Sequence, residues 1–391
     1  MTREVIVLGT GRHCRTLLGI AAVLLGGAAC SSAHTADAGP AAVIRAGQHP
    51  YLLRFHVVSQ IASTVPANGD VNPYGVALVP QTTGRLIRGD VLVSNFNSKA
   101  NVQGTGTTIV EISPGGSVRP FARLGALPSA SRCPGGIGLT TGLEVLPGGW
   151  VAVGSLATAI GGALPAANPA GCIIVLDGQG KPAETWVSKD INGPWDMTMR
   201  SEPGHAVLFV SNVLSRAGGP HSEPPASGIC TVARISVALS PGAPPRMTSV
   251  TVVGGGFPWR KNKAALIQGP TGLALGRGGT LYVVSTLGNS ISAIPDAMTR
   301  TSPAMAGAEV LTAGGSLSGP LGLTAAPDGD LIAVNGNNGN AVEISPGGRQ
   351  VATVTLVPHG AGDLFGVTTP ADGLGLLFVN DGTNALDLFS A

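Results

Sequence analysis

The 391-residue chain is short of charge. Lys, Arg, Asp and Glu make up 11% of it and the formal net charge is +2. Arg3, Arg12 and Arg15 against Glu4 and Asp37 leave the part after Ala38 near neutral, so no electrostatic footprint for nucleic acid is present. Histidine numbers seven, and no two sit at metal-ligand spacing. A Ser-His-Asp elbow and a phosphate-binding glycine loop are both missing. The opening "EVIVLGTGRHC" imitates a dinucleotide-binding strand and loop, but Cys14 replaces the third glycine and no βαβ unit follows. These absences exclude most readily recognised enzyme classes. What is abundant is glycine (59), proline (30) and an apolar fraction of 43%. That composition opposes disorder, because apolar burial offsets chain entropy, and it suits many short strands joined by tight turns.

The N-terminus reads as an export signal: basic residues, then the apolar run Leu17 to Ala29, too short to span a bilayer. Small residues in "GGAACSS" resemble the bacterial lipoprotein signal, in which Cys30 would be lipidated, although Gly27 stands where that signal has leucine. A plain secretory cut after Ala38, in "TADA", is the competing reading. Residues 1–38 are therefore set aside as signal and tether, and 39–391 are expected to form one domain outside the cytoplasm. Contact with a membrane is expected only through a lipid anchor.

The heptapeptide "VEISPGG" occurs twice, opening at Val110 and Val342. Before the first come "NPYGVALVP" and "GDVLVSN"; before the second come "GPLGLTAAPDG" and "GDLIAVNG". Each unit reads as a glycine-led apolar strand, a turn, a second apolar strand ending in a small polar residue, and a third strand ending at Pro-Gly. Further copies begin at Thr140, Asn192, Gly269 and Leu364. The two heptapeptides lie four repeats apart, which gives about 58 residues per repeat, a period that signals a β-propeller. Six repeats predict an all-β, six-bladed β-propeller. The last blade runs out after three strands, and "YLLRFHVVSQI", Tyr51 to Ile61, is expected to be the N-terminal strand that closes the ring.

"LYVVSTLGNSISAI", "LIAVNGNNGNAVEI" and "LFVNDGTNALDL" resemble the NHL repeat, and everything after Tyr51 is similar to bacterial NHL-type six-bladed propellers. That resemblance implies a fold and leaves activity open, since such propellers include binding proteins, lactonases and lyases. It also implies a central channel lined by first strands, with ligands on the face shared by the loops leading into first strands and those between second and third strands.

A strand period of two then selects Gly75 and Ala77, Gly142 and Glu144, Asp196 and Thr198, Gly272 and Ala274, Gly322 and Thr324, and Gly366 and Thr368 as channel-facing. The acids Glu144 and Asp196 break the small-residue rule on neighbouring blades. They are candidates to hold Ca²⁺ or Mg²⁺ with amide oxygens from Asn95, Asn212, Asn335 and Asn380, or else to hydrogen-bond backbone and water. The arrangement resembles the metal site of gluconolactonase-type propellers, with Asn72 where an opening acid is expected. Trp195, beside Asp196, is a further ligand-binding candidate. The streptogramin-lyase type needs a channel histidine beside glutamate, and His205, His221 and His359 all fall elsewhere.

Long loops at Phe96 to Gly106, Leu156 to Gly171 and Val213 to Gly228 read either as a lopsided rim over the channel or as ordinary loop decoration. "GFPWRKNK" places Trp259 with Arg260, Lys261 and Lys263, either a sugar or anion site or a solvated basic loop. Of the three cysteines beyond the signal, Cys133 precedes the first strand of the second blade and Cys172 opens its third. A disulfide is expected there over Cys172–Cys230, leaving Cys230 free. The function expected is a monomeric, non-catalytic binding module at the cell envelope, for a small molecule, a glycan or an envelope protein. The alternative is a metal-dependent lactonase-like or lyase-like enzyme using the channel carboxylates.

Overall fold

Largely apolar stretches of four to twelve residues, punctuated by Pro-Gly, Gly-Gly and Asp-Gly turns, pair with their sequence neighbours as antiparallel sheets. The computed structural model describes residues 49–125, 133–134, 136–138, 140–156, 171–214, 230–262, 266–306 and 309–391. The expected signal with Cys30, His221, Lys263 and most of the long loops of blades two and three lie outside the described residues.

Six sheets form the blades of a β-propeller. Blade one comprises Val71–Leu78, Val91–Asn97, Thr108–Ile112 and Val118–Arg123. Blade two comprises Thr140–Leu146, Trp150–Ser155, Cys172–Leu176 and Pro182–Trp186. Blade three comprises Pro194–Glu202, His205–Asn212, Cys230–Ala238 and Arg246–Phe257, with Ala304–Met305 added in parallel at its rim. Blade four comprises Pro270–Leu275, Leu281–Ser285, Ser290–Ile294 and Val310–Ala313. Blade five comprises Pro320–Ala325, Leu331–Asn335, Asn340–Ile344 and Gln350–Thr355.

Blade six holds only Leu364–Thr368, Leu376–Asn380 and Ala385–Ser390 from the C-terminus. Its fourth strand is Val57–Ser63, paired antiparallel from Val57 opposite Ser390 to Ser63 opposite Ala385. The ring is therefore closed by the N-terminal strand, which covers an otherwise open edge. That strand starts later than the sequence suggests. Tyr51–Arg54 is a 3₁₀ turn, because the Glu343 carboxylate accepts the main-chain N–H groups of Tyr51 and Leu52 at 2.7 and 2.8 Å. The turn drives Tyr51, Leu52 and Phe55 into the core of blades five and six.

The heptapeptide is the third strand and following turn of blades one and five. Its valine and isoleucine pack between blades at 0% exposure. Its last glycine, Gly116 or Gly348, has φ of 82° or 85°, and a Cβ there would meet the carbonyl oxygen of Ile61 or Leu311. Its glutamate reaches a neighbouring segment: Glu111 accepts the Ile87 N–H at 2.8 Å and pairs with Arg119 at 2.9 Å, while Glu343 holds the N-terminal turn.

A disulfide joins Cys133 to Cys172 with Cα atoms 5.4 Å apart, and Cys230 is a buried free thiol.

Candidate functional site in the axial cavity

Around the axis the first strands approach so closely that side chains are nearly excluded. A Cβ on Gly75 would lie 2.5 Å from the Thr141 carbonyl oxygen of blade two, and one on Gly272 would lie 2.5 Å from that of Leu321 in blade five. Gly322 and Gly366 abut Phe365 and Tyr74 in the same sense, each touching the next blade. Hydroxyls in or just after second strands tie this ring together: Ser94 donates to the Thr141 carbonyl, Ser211 to Thr271 and Thr286 to Pro320.

Blade three breaks the ring, with Asp196 in place of glycine. Its Oδ2 accepts the Leu273 N–H of blade four at 3.1 Å. Its Oδ1 occupies the space that a Cβ on Gly142 would need, so the glycine of blade two makes room for the carboxylate. Two residues beyond Gly142, on the same side of the strand, stands Glu144. Both acids line an axial cavity of about 210 Å³. Its remaining wall includes Thr198, Thr324 and Thr368 together with apolar side chains, and none of its lining residues is Lys, Arg or His.

Burial raises Asp196 to about 7, partly opposed by the N–H groups of Met197 and Leu273. Burial, and then the charge of Asp196, raises Glu144 to about 8. At neutral pH Glu144 is mostly protonated, so the pair holds a proton within the cavity.

Aromatic rings cluster where the first strands of blades one, three and six begin. Tyr74 lies 5.4 Å from Trp195, 5.9 Å from Phe96 and 5.1 Å from Phe365, centroid to centroid. Trp195 Nε1 donates to the Tyr74 hydroxyl, and burial with the nearby Asp196 charge raises that phenol well above its ordinary value. Leu156, Val213 and Ile267 pack around the rings.

The strict alternation expected of the first strands needs correction. All of Leu321 to Ala325 line the cavity, as do Leu273, Ala274 and Leu275. Each first strand pairs on one side only, so its free edge faces the axis and residues of both phases border the channel. Ala77, expected in the channel, packs in the core that blade one shares with blade two.

The structure brings Glu144, Asp196 and the ring of Tyr74 together, and places the other candidates elsewhere. Asn95 Nδ2 donates to the Thr64 carbonyl, and Asn212 Oδ1 accepts the Asn192 N–H. Asn335 is bonded to Ser316 and Ser318, and Asn380 donates to Asp387. Asn72, with φ of 59°, donates to Asp381 at the junction of blades six and one. None of these five asparagines lines the cavity. Trp195 is only 2% exposed and belongs to the aromatic cluster. Trp259 packs at the edge of the same cluster, and Arg260 Nε donates to Gln268. Among the described residues no group of three or more His, Cys, Asp or Glu is placed to hold a metal ion. Tyr74 and Phe365 escaped the sequence reading; their signal was an aromatic directly before the glycine of the first strand in blades one and six.

No family model matches the sequence and no curated protein matches it. Solved structures show the fold. A gluconolactonase from Xanthomonas campestris aligns with a TM-score of 0.55 at 14% identity, over 88% of this chain and 93% of that one. A putative gluconolactonase aligns with a TM-score of 0.52 at 14% identity, over 88% and 96%. A calcium-binding regucalcin from Agrobacterium tumefaciens aligns with a TM-score of 0.51 at 14% identity, over 84% and 92%. At such identities the likeness establishes the six-bladed β-propeller and nothing of its chemistry.

Proposed function

We propose that the chain is an extracytoplasmic propeller acting as a non-catalytic binding module at the cell envelope, with a small molecule as its ligand in the axial cavity. The observation that carries this reading is the Glu144–Asp196 pair, set in a cavity bordered by aromatic residues. Paired acids in a cavity of this size hold and orient a polar ligand. The disulfide Cys133–Cys172 supports a location outside the cytoplasm, where such bonds persist. Lipidation of Cys30 remains the proposed anchor.

A second reading is a metal-dependent lactonase-like enzyme, favoured by the gluconolactonase and the calcium-binding regucalcin among the structural neighbours. Glu144 and Asp196 would then hold Ca²⁺ or Mg²⁺, which polarises a carbonyl. The described donor set fits that group poorly, because the asparagines that would complete it are bonded elsewhere. A pH-stat assay of aldonolactone hydrolysis, with and without CaCl₂, separates the two. The binding reading expects no rate above buffer; turnover that disappears in Glu144→Gln would establish the enzyme instead.

A further inference from the structure

We propose that the axial cavity receives a small organic cation, a primary amine or a quaternary ammonium, held between the carboxylates of Glu144 and Asp196 and the rings of Tyr74 and Phe365. The inference rests on the reading that this cavity is the binding site, and adds the chemical class of the ligand.

The wall is one-signed. Tyr74 of blade one, Glu144 of blade two and Asp196 of blade three are the titratable groups that face it, and the lining residues of blades four to six carry none. Glu144 lies deep in the protein, and the surface it exposes borders the cavity. Among the described residues no protein group donates a hydrogen bond to it, whereas Asp196 has the N–H groups of Met197 and Leu273. A buried acid lacking a donor is costly to ionise, and a cation in the cavity removes that cost.

The aromatic residues point the same way. Tyr74 and Phe365 both line the cavity, and their ring centroids lie 5.1 Å apart with planes tilted at 42°. Ring faces attract ammonium groups within about 6 Å of the centroid. Size narrows the class further. About 210 Å³ is below the roughly 300–1,000 Å³ of pockets for drug-sized ligands, and suits an ammonium of a few heavy atoms.

A bare calcium ion fits less well, since it takes roughly six to eight oxygens. The lining side chains offer two carboxylates, the hydroxyls of Thr198, Thr324 and Thr368, and the phenol of Tyr74, which already accepts from Trp195. The apolar remainder, including Met197, Leu273, Leu323 and Val367, instead matches methyl and methylene groups. Binding a cation favours the ionised pair, so a proton leaves as the ligand enters. The raised values of both acids agree with that exchange.

The test titrates the full-length chain with choline chloride, ethylamine hydrochloride, CaCl₂ and neutral glycerol, by calorimetry at pH 7 in two buffers of different ionisation heat. One of the ammonium probes is expected to bind one-to-one with release of about one proton. Its affinity should fall about tenfold or more in Glu144→Gln, which removes the charge and has no protein hydrogen bond to lose. Phe365→Leu should weaken the ammonium probe several-fold and leave CaCl₂ unaffected, a split that general loosening of the fold would not produce. If CaCl₂ binds in a Glu144-dependent manner while both ammonium probes are silent, the organic cation is overturned and the cavity reading stands. If no probe gives heat or shifts the melting point, both fall.

Discussion

Two pairs of carboxylates sit in different regions of the protein, one buried beneath the blades and one half-buried against the axial cavity. Glu111 and Glu343 sit in the heptapeptide strands of blades one and five, and Glu144 and Asp196 sit at the axis in blades two and three. Glu111 and Glu343 are 1% and 0% exposed and burial raises both, yet N–H donors pull each back. Glu343 receives two main-chain N–H groups, and Glu111 receives one together with the Arg119 guanidinium. At the axis, Asp196 receives two N–H groups and Glu144 none, so nothing opposes the rise at Glu144. Burial alone therefore does not distinguish a structural acid from a candidate functional one. The distinction lies in whether the protein itself supplies the donors.

That contrast can be broken from the structural side first. The largest effect is expected from deleting residues 1–63, which removes everything Glu343 holds and exposes the strand Ala385–Ser390 as an edge. The truncated chain should be insoluble or aggregated. A soluble monomer on size-exclusion chromatography, with an unchanged melting point, would show that blade six closes without the N-terminal strand.

Next comes Glu343→Ala, which strips both acceptors from the turn at Tyr51 and Leu52. A loss of about 3–5 kcal/mol is expected in urea denaturation, from two charge-assisted hydrogen bonds and the buried donors they leave. Hydrogen exchange should show the N-terminal strand opening first.

The smallest effect has the opposite sign. Below about pH 4.5 the Glu144 carboxyl is protonated in both the folded and the unfolded chain. As pH rises towards 8, the unfolded chain releases that proton while the fold retains it, so stability is lost over this window. Glu144→Gln should remove the Glu144 share of the loss, leaving that of Asp196, and stabilise the apo protein by on the order of 2–4 kcal/mol at pH 8, with little change at pH 4.5. Melting curves at the two pH values check this, and equal shifts at both would remove Glu144 from the set of strained acids.

Much of the architecture was legible because a propeller repeats itself in sequence. Glycine-led first strands and apolar second strands recur, and the Pro-Gly-Gly turn of the heptapeptide returns where one local requirement does, the positive φ of Gly116 and Gly348. The late start of the closing strand was not legible. Tyr51–Arg54 has the apolar look of a strand, and the Glu343 carboxylate that coils it lies 292 positions away from Tyr51. At the site, Glu144 and Asp196 stood out as acids where small residues recur. The asparagines misled, because an amide ending a strand looks the same in sequence whether it faces a channel or bonds a loop.

By itself the sequence determined the number of blades, the strand order within each and the two acids at the axis, since these follow from periodic patterns of apolar, turn and small residues. The tertiary structure alone decided which groups meet. It set Tyr74 and Phe365 in one cavity with the acid pair, gave Asp196 its donors and left Glu144 without one. Those contacts are made between blades whose residues are 52 to 291 positions apart, from Glu144 to Asp196 and from Tyr74 to Phe365. No local pattern encodes such distances; the closure of the ring fixes them.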